Sequence, residues 1–175
     1  MQSVKVVITG PFNAGKTTFI KSVSEITVLS TEREISPTAG EGGGETTVAM
    51  DFGRITVSDD VVLYLFGTPG QARFSFMWET LSEGMLGFVL LVDADANKTY
   101  DDAREMIRFF TERSDVPFVV AANNATADDI QELQALRSHL ELPDSTSLLP
   151  VDATSRDSVK AVLLGLLYEI LKSVE

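Results

Sequence analysis

The sequence predicts an α/β fold: a mostly parallel sheet with helices on both faces and one antiparallel edge strand. Three observations carry this. Short β-rich runs alternate with amphipathic stretches, the runs are largely apolar without strict alternation, and a glycine-containing loop separates the first run from a helix. In chain order the runs are "VKVVIT" (4–9), "VVLYLF" (61–66), "GFVLLV" (87–92) and "PFVVAA" (117–122). Strands of this kind are buried on both faces, which requires crossover helices on each side. The segment "TTVAMDFGRITVSDDVVLYLF" (46–66) reads as two strands about a hairpin near Ser58–Asp60, and it supplies the antiparallel edge. Before it, "GEGGGE" (40–45) places four glycines in six residues, too little side chain to order itself, and reads as a mobile loop. "YDDAREMIRFFTERSD" (100–115) spreads charge around a helix with a solvated face. In the last helix Val159, Val162, Leu163, Leu166, Leu167, Ile170 and Leu171 recur at helical spacing behind Thr154 and Asp157, a capping-box pair.

Composition narrows the function classes. At 175 residues and 44% hydrophobic content, one domain spanning 1–175 is expected. The 26 acidic against 14 basic residues give a net charge of -12, which repels phosphate backbones and anionic lipid, so neither nucleic acid nor a direct membrane anchor is expected. Cysteine is absent, which removes disulfides, thiol catalysis and prenylation. The apolar runs are too short to span a bilayer, and the start of the chain carries no charged, apolar leader, so the expected location is cytoplasmic.

The strongest motif is "GPFNAGKTT" (10–18), which fits GxxxxGK[ST] and sits between a strand and a helix, as the motif requires. Gly10, Asn13, Ala14 and Gly15 belong to a loop whose N–H groups cradle phosphates at a helix N-terminus. Lys16 reaches the terminal phosphates, the Thr17 hydroxyl is placed for Mg²⁺, and Thr18 offers a phosphate-contacting or surface hydroxyl.

From here the order of features resembles the Ras-like small GTPases over essentially the whole chain. The resemblance implies a P-loop NTPase fold, GTP or GDP with Mg²⁺ as ligands, and two switch segments at about 36–47 and 67–80. Within "TTVAMDF", Thr47 stands at the family's Mg²⁺ and γ-phosphate threonine, with Thr46 as the alternative. "GTPGQ" aligns with DxxGQ, so Gly70 is the γ-phosphate sensor, Gln71 the water-orienting amide, and Arg73 a nearby cation for the catalytic set with Lys16. Gly67 replaces the acid. That carboxylate ordinarily acts through a water, so its loss implies weaker metal binding rather than none. Asp59 and Asp60 lie at the wrong end of the strand, and Asp93 is either an outer replacement or a strand-end cap.

In "AANNAT" (121–126), Asn123 takes the place of the guanine-reading asparagine, Asn124 that of a lysine covering the base, and Thr126 that of an aspartate. One hydroxyl cannot reproduce a bidentate carboxylate contact, so guanine preference is expected to be modest. Asp128 and Asp129 either restore that contact or cap a helix. In "VDATSRD" the Ala153 N–H is the expected contact to a base carbonyl, with Thr154 beside it, although a simple strand-to-helix cap fits equally.

"FGTPGQ", "RFSFMWETL", "TTVAMDFGRITV" and "PFVVAANN" resemble bacterial branches, the MglA-type polarity GTPases and, more closely, conservon-type GTP-binding proteins. Such a resemblance implies a protein partner at the switch regions, of the roadblock-domain type. Phe12 should crowd an incoming arginine finger, which implies slow hydrolysis stimulated in another way. Gly67, Phe12 and Thr126 keep a second reading open, a nucleotide-binding scaffold that does not hydrolyse. An ATP-preferring P-loop protein is the third. Among Phe74, Phe76, Met77 and Trp78 at least one ring is expected at the surface, as docking patch or as spare packing, and His139 is read as a solvated surface residue.

Overall fold

The computed structural model describes residues 1–35, 46–126 and 128–175; side chains at 30–35 and 46–49 fall outside that description. The elements run β1 (Gln2–Thr9), α1 (Lys16–Val23), β2 (Leu29–Ile35), β3 (Thr46–Ser58), β4 (Val61–Gly67), α2 (Ser75–Ser82), β5 (Gly87–Asp93), α3 (Tyr100–Arg113), β6 (Phe118–Asn123), α4 (Ile130–His139), β7 (Leu148–Val151) and α5 (Arg156–Ser173). Two short 3₁₀ turns precede α2 and α3. The strands form one seven-stranded sheet in the order β2-β3-β4-β1-β5-β6-β7. β1 pairs in parallel with β4 and β5, and β5–β6 and β6–β7 are also parallel, while β3 is antiparallel to both β2 and β4.

The expected α/β architecture is therefore present, with β3 as the one strand that runs against the rest. It is not the edge, because β2 lies outside it. β7, with Pro150 in its four residues, closes the opposite edge, where a residue lacking an N–H costs least. Alternation along the central strands sends side chains to two separate cores. Val6 and Ile8 of β1, with Val89, Leu91, Val119 and Ala121, meet α1 and α5. Val7, with Phe88, Leu90, Val120 and Ala122, meets α2, α3 and α4. Helices thus cover both faces. Among the described residues, no helix is long and apolar enough to cross a membrane.

Two local expectations shift. The side chain that caps α5 is Ser155, whose oxygen accepts from the Ser158 N–H, rather than Thr154 one residue earlier. Leu171 is exposed, near the end of α5, whereas Val159, Val162, Leu163 and Leu166 are buried as expected.

Trp78 links the second core to the turn after β4. Its indole N–H donates to the Pro69 carbonyl at 2.7 Å, and its ring meets Phe109 edge-on at 5.3 Å between centroids. Trp78→Phe keeps an aromatic ring but orphans a buried carbonyl, which should cost about 1–3 kcal/mol. Thermal denaturation of the variant reads this, at roughly 2–4 °C per kcal/mol for a chain of this size. An unchanged melting temperature would mean that the Pro69 bond holds nothing.

Candidate nucleotide site

β1 stops at Thr9, the chain turns through 10–15, and α1 starts at Lys16 on Gly15, which offers no side-chain cap. A bare helix N-terminus of this kind suits an anion. Inside the turn, Lys16 Nζ donates to the Gly10 and Pro11 carbonyls at 2.5 and 2.9 Å, so the loop curls around its own ammonium. Burial pushes the Lys16 ammonium down to about 8, against the opposing charge of Asp51.

The loop lines a cavity of about 380 Å³, shared with Asp51 and with Thr68, Pro69, Gly70 and Gln71 after β4. Two buried bonds hold those two ends together, Thr68 Oγ1 to Thr9 Oγ1 at 2.8 Å and the Thr68 N–H to the Ile8 carbonyl at 3.0 Å. Gly70 lies directly on the loop, since a Cβ there would come within 2.5 Å of the Phe12 nitrogen and 2.7 Å of Lys16 Nζ. Any group held at the end of Lys16 therefore adjoins Gly70. Phe12, 58% exposed, stands among the cavity's lining residues.

The structure brings Asn13, Ala14, Gly15, Lys16, Thr17, Thr18, Gly70 and Gln71 to this one cavity. Arg73 is not among its lining residues: its Nε donates to Gln71 Oε1 at 2.7 Å and its guanidinium lies over the Phe74 ring. The backbone of Thr47 pairs with Glu34 in the β2–β3 ladder, its side chain belonging to the part not described; residues 36–45 of the first switch segment also lie outside the described residues. Phe74 and Trp78 are buried and Phe76 is 64% exposed, so the expected surface ring is Phe76. His139 is exposed against Tyr100, as expected.

Asn123 joins three loops. Its amide donates to the Ala14 carbonyl and its oxygen accepts from the Ala153 N–H, each at 3.1 Å. The N–H expected to face a base carbonyl is thus directed at Asn123, and Ser22 Oγ donates to the Ala153 carbonyl from α1. Asn124 adopts a left-handed conformation (φ 69°) and donates to Asp93 Oδ1, which also accepts from the Asp95 N–H. Asp93 is accordingly a strand-end cap. Asp129 caps α4 by accepting from the Glu132 N–H, and Thr126 is exposed. Thr154 donates twice to Asp152, through its N–H and its hydroxyl, and these bonds hold the Asp152 carboxyl below its ordinary range.

No motif of the sequence marks Asp51. Its carboxylate, only 6% exposed, accepts from Thr17 Oγ1 at 2.5 Å. Asp51 is the register partner of Gly67 across the β3–β4 pair. A signal was present: an acid inside the run "VAMDFG" must find a donor or a cation once its strand is buried. No group of three or more His, Cys, Asp or Glu residues gathers as a metal cluster among the described residues.

Comparison with known proteins matches residues 30–173 to the family described as conserved hypothetical ATP binding protein. The chain belongs to this family. The matched stretch begins after the phosphate loop and covers β3, the turn 67–71 and the segments around Asn123 and Ala153. An uncharacterized protein of Methanocaldococcus jannaschii is 32% identical over 127 residues, 73% of each chain. The Ras-related protein Rab-8B of Homo sapiens is 25% identical over 132 residues, 72% of this chain and 64% of Rab-8B. This member of the ATP-binding family is therefore a P-loop nucleotide-binding protein with a weaker kinship to Ras-related GTPases.

Proposed function

We propose that the protein is a small nucleotide switch that binds GTP and GDP with Mg²⁺ and hydrolyses GTP slowly. The contact of Gly70 with Lys16 and the phosphate loop carries this reading, because it couples the turn 67–71 to whatever occupies the terminal phosphate position. In this reading the loop and α1 bind the phosphates, Lys16 leaves the Gly10 and Pro11 carbonyls for phosphate oxygens, and Gly70 reports whether the last phosphate is there. Thr17 and, by the Ras-like resemblance, Thr47 would hold Mg²⁺, which when bound neutralises phosphate charge. Gln71 is the group that would orient the attacking water. Its amide oxygen is occupied by Arg73, so an unassisted rate would be low, and the exposed ring of Phe12 would crowd a cation arriving from a partner, so stimulation would take another geometry. The missing acid at Gly67 supports a place beside the conservon-type and MglA-type branches, and the exposed Phe76 supports a protein partner at 67–80, of the roadblock-domain type that those branches imply.

ATP is the second reading. The name of the matching family favours it, and so does the base side, where Thr126 offers a hydroxyl in place of a carboxylate and Asn124 is committed to Asp93. Calorimetry with GTP, GDP and ATP, each with and without Mg²⁺ on nucleotide-free protein, decides between them. Tighter binding of GTP and GDP that strengthens with Mg²⁺ is expected, together with slow single-turnover hydrolysis. Preference for ATP would install the second reading, and guanine nucleotide binding with no turnover would leave a scaffold.

A further inference from the structure

We propose that Asp51 replaces the carboxylate missing at Gly67, so that the acid supporting Mg²⁺ has moved from the end of β4 onto the neighbouring strand. The proposal rests on the nucleotide reading above and concerns the same site.

Register places the two positions together, since Asp51 and Gly67 face each other in the antiparallel β3–β4 pair. Space makes them neighbours. A Cβ built on Gly67 would lie 3.3 Å from Asp51 Cβ and 3.5 Å from Asp51 Oδ2, so the Asp51 side chain stands directly against the position that a side chain at 67 would take. Chemistry then connects Asp51 to the metal position. By accepting the Thr17 hydroxyl proton, its carboxylate leaves the lone pairs of Thr17 Oγ1 free to face a cation, and its charge offsets that of the cation. A nearly buried carboxylate also needs such company, and Lys16 and Thr17 supply it within the cavity. Other acids near the fold's strand ends serve elsewhere: Asp93 caps its own strand, and Asp60 lies where its carbonyl accepts from the Gln2 N–H, at the opposite end of β4.

The test measures release of a fluorescent GDP analogue while Mg²⁺ is titrated, for the wild type, Asp51→Asn and the double variant Asp51→Gly with Gly67→Asp. Asp51→Asn should need about 10–100-fold more Mg²⁺ to slow release. In excess EDTA it should hold GDP more tightly than the wild type, because a carboxylate beside bare phosphates repels them. A purely structural role for Asp51 predicts weaker binding in both conditions. Moving the acid back to 67 should recover most of the Mg²⁺ response, the nearest obstacle there being the flexible end of Ile20, 3.1 Å from the new Cβ. An Asn variant with the wild-type Mg²⁺ midpoint, or one weakened equally with and without the metal, overturns the proposal. Should Asp51→Asn fail to fold, the double variant decides alone: a restored midpoint supports the transfer and a lost one refutes it. A wild type that binds no nucleotide at all overturns the function reading and this proposal together, whereas a wild type with a clear Mg²⁺ response that Asp51→Asn retains overturns only the latter.

Discussion

Lys16→Met is expected to lower affinity for guanine nucleotides by about 100-fold or more, the product of losing two charge-assisted hydrogen bonds of ~1.5–3 kcal/mol each. The same change alters how stability depends on pH. Burial holds the Lys16 ammonium at about 8, below its ordinary 10.5, so the folded, nucleotide-free protein binds this proton less readily than the unfolded chain does. Below about 8 both states are protonated and the folded state bears the full cost of the buried charge. Between about 8 and 10.5 the unfolded chain carries more protons, and stability rises with pH. Methionine has no such transition. Calorimetric melts of both proteins should therefore show the wild type gaining on the variant as pH rises through that window. Binding that survives in Lys16→Met would remove the phosphate loop from the function, and a gap between the two proteins that ignores pH would mean that the ammonium is not desolvated.

What the sequence made legible was whatever is local. The four central strands declared themselves because a strand covered on both faces is apolar along most of its length. β2 did not, since "LSTEREI" carries Glu32, Arg33 and Glu34, charges that an edge strand tolerates and that disguise it as helix or loop. β7 is four residues long and contains Pro150, a poor candidate by any strand pattern until its edge position is known. The phosphate loop was readable because its parts are consecutive. The acid beside it was not, because the Thr17–Asp51 bond joins residues 34 apart and exists only through the β3–β4 register. Sequence position draws attention to acids at strand ends, where Asp59 and Asp60 lie at the wrong end and Asp93 caps its own strand, whereas Asp51 sits in mid-strand opposite Gly67. Asn123 shows the same limit. Its place at the end of β6 was evident, yet its bonds to Ala14 and Ala153 depend on three loops converging, which no spacing encodes.

Gly10→Ala is the substitution with the largest expected cost to stability. Gly10 has φ +151°, and a Cβ on it would lie 2.1 Å from the Leu91 carbonyl oxygen and 3.1 Å from the Leu91 carbonyl carbon. Those atoms are backbone of β5, which pairs with β1 on one side and β6 on the other, so they cannot retreat without opening the middle of the sheet. Overpacking of this sort costs about 1–3 kcal/mol and an unfavourable backbone conformation a further 1–3 kcal/mol, together a large share of the ~5–15 kcal/mol that holds a domain folded. A loss of about 3–5 kcal/mol in urea unfolding is the expected result. Gly84→Ala separates the two terms, because Gly84 also has positive φ (+74°) but a Cβ there would meet nothing within 4 Å. That variant should lose only about 1–2 kcal/mol, the conformational part. Equal losses at the two positions would show that the β1–β5 approach at Leu91 is not tight and that Gly10 is kept for its backbone angle alone. A much larger loss at Gly10 would tie the shape of the phosphate loop to the packing of the central strands, because the Gly10 carbonyl that accepts from Lys16 belongs to the same residue that β5 forbids to grow.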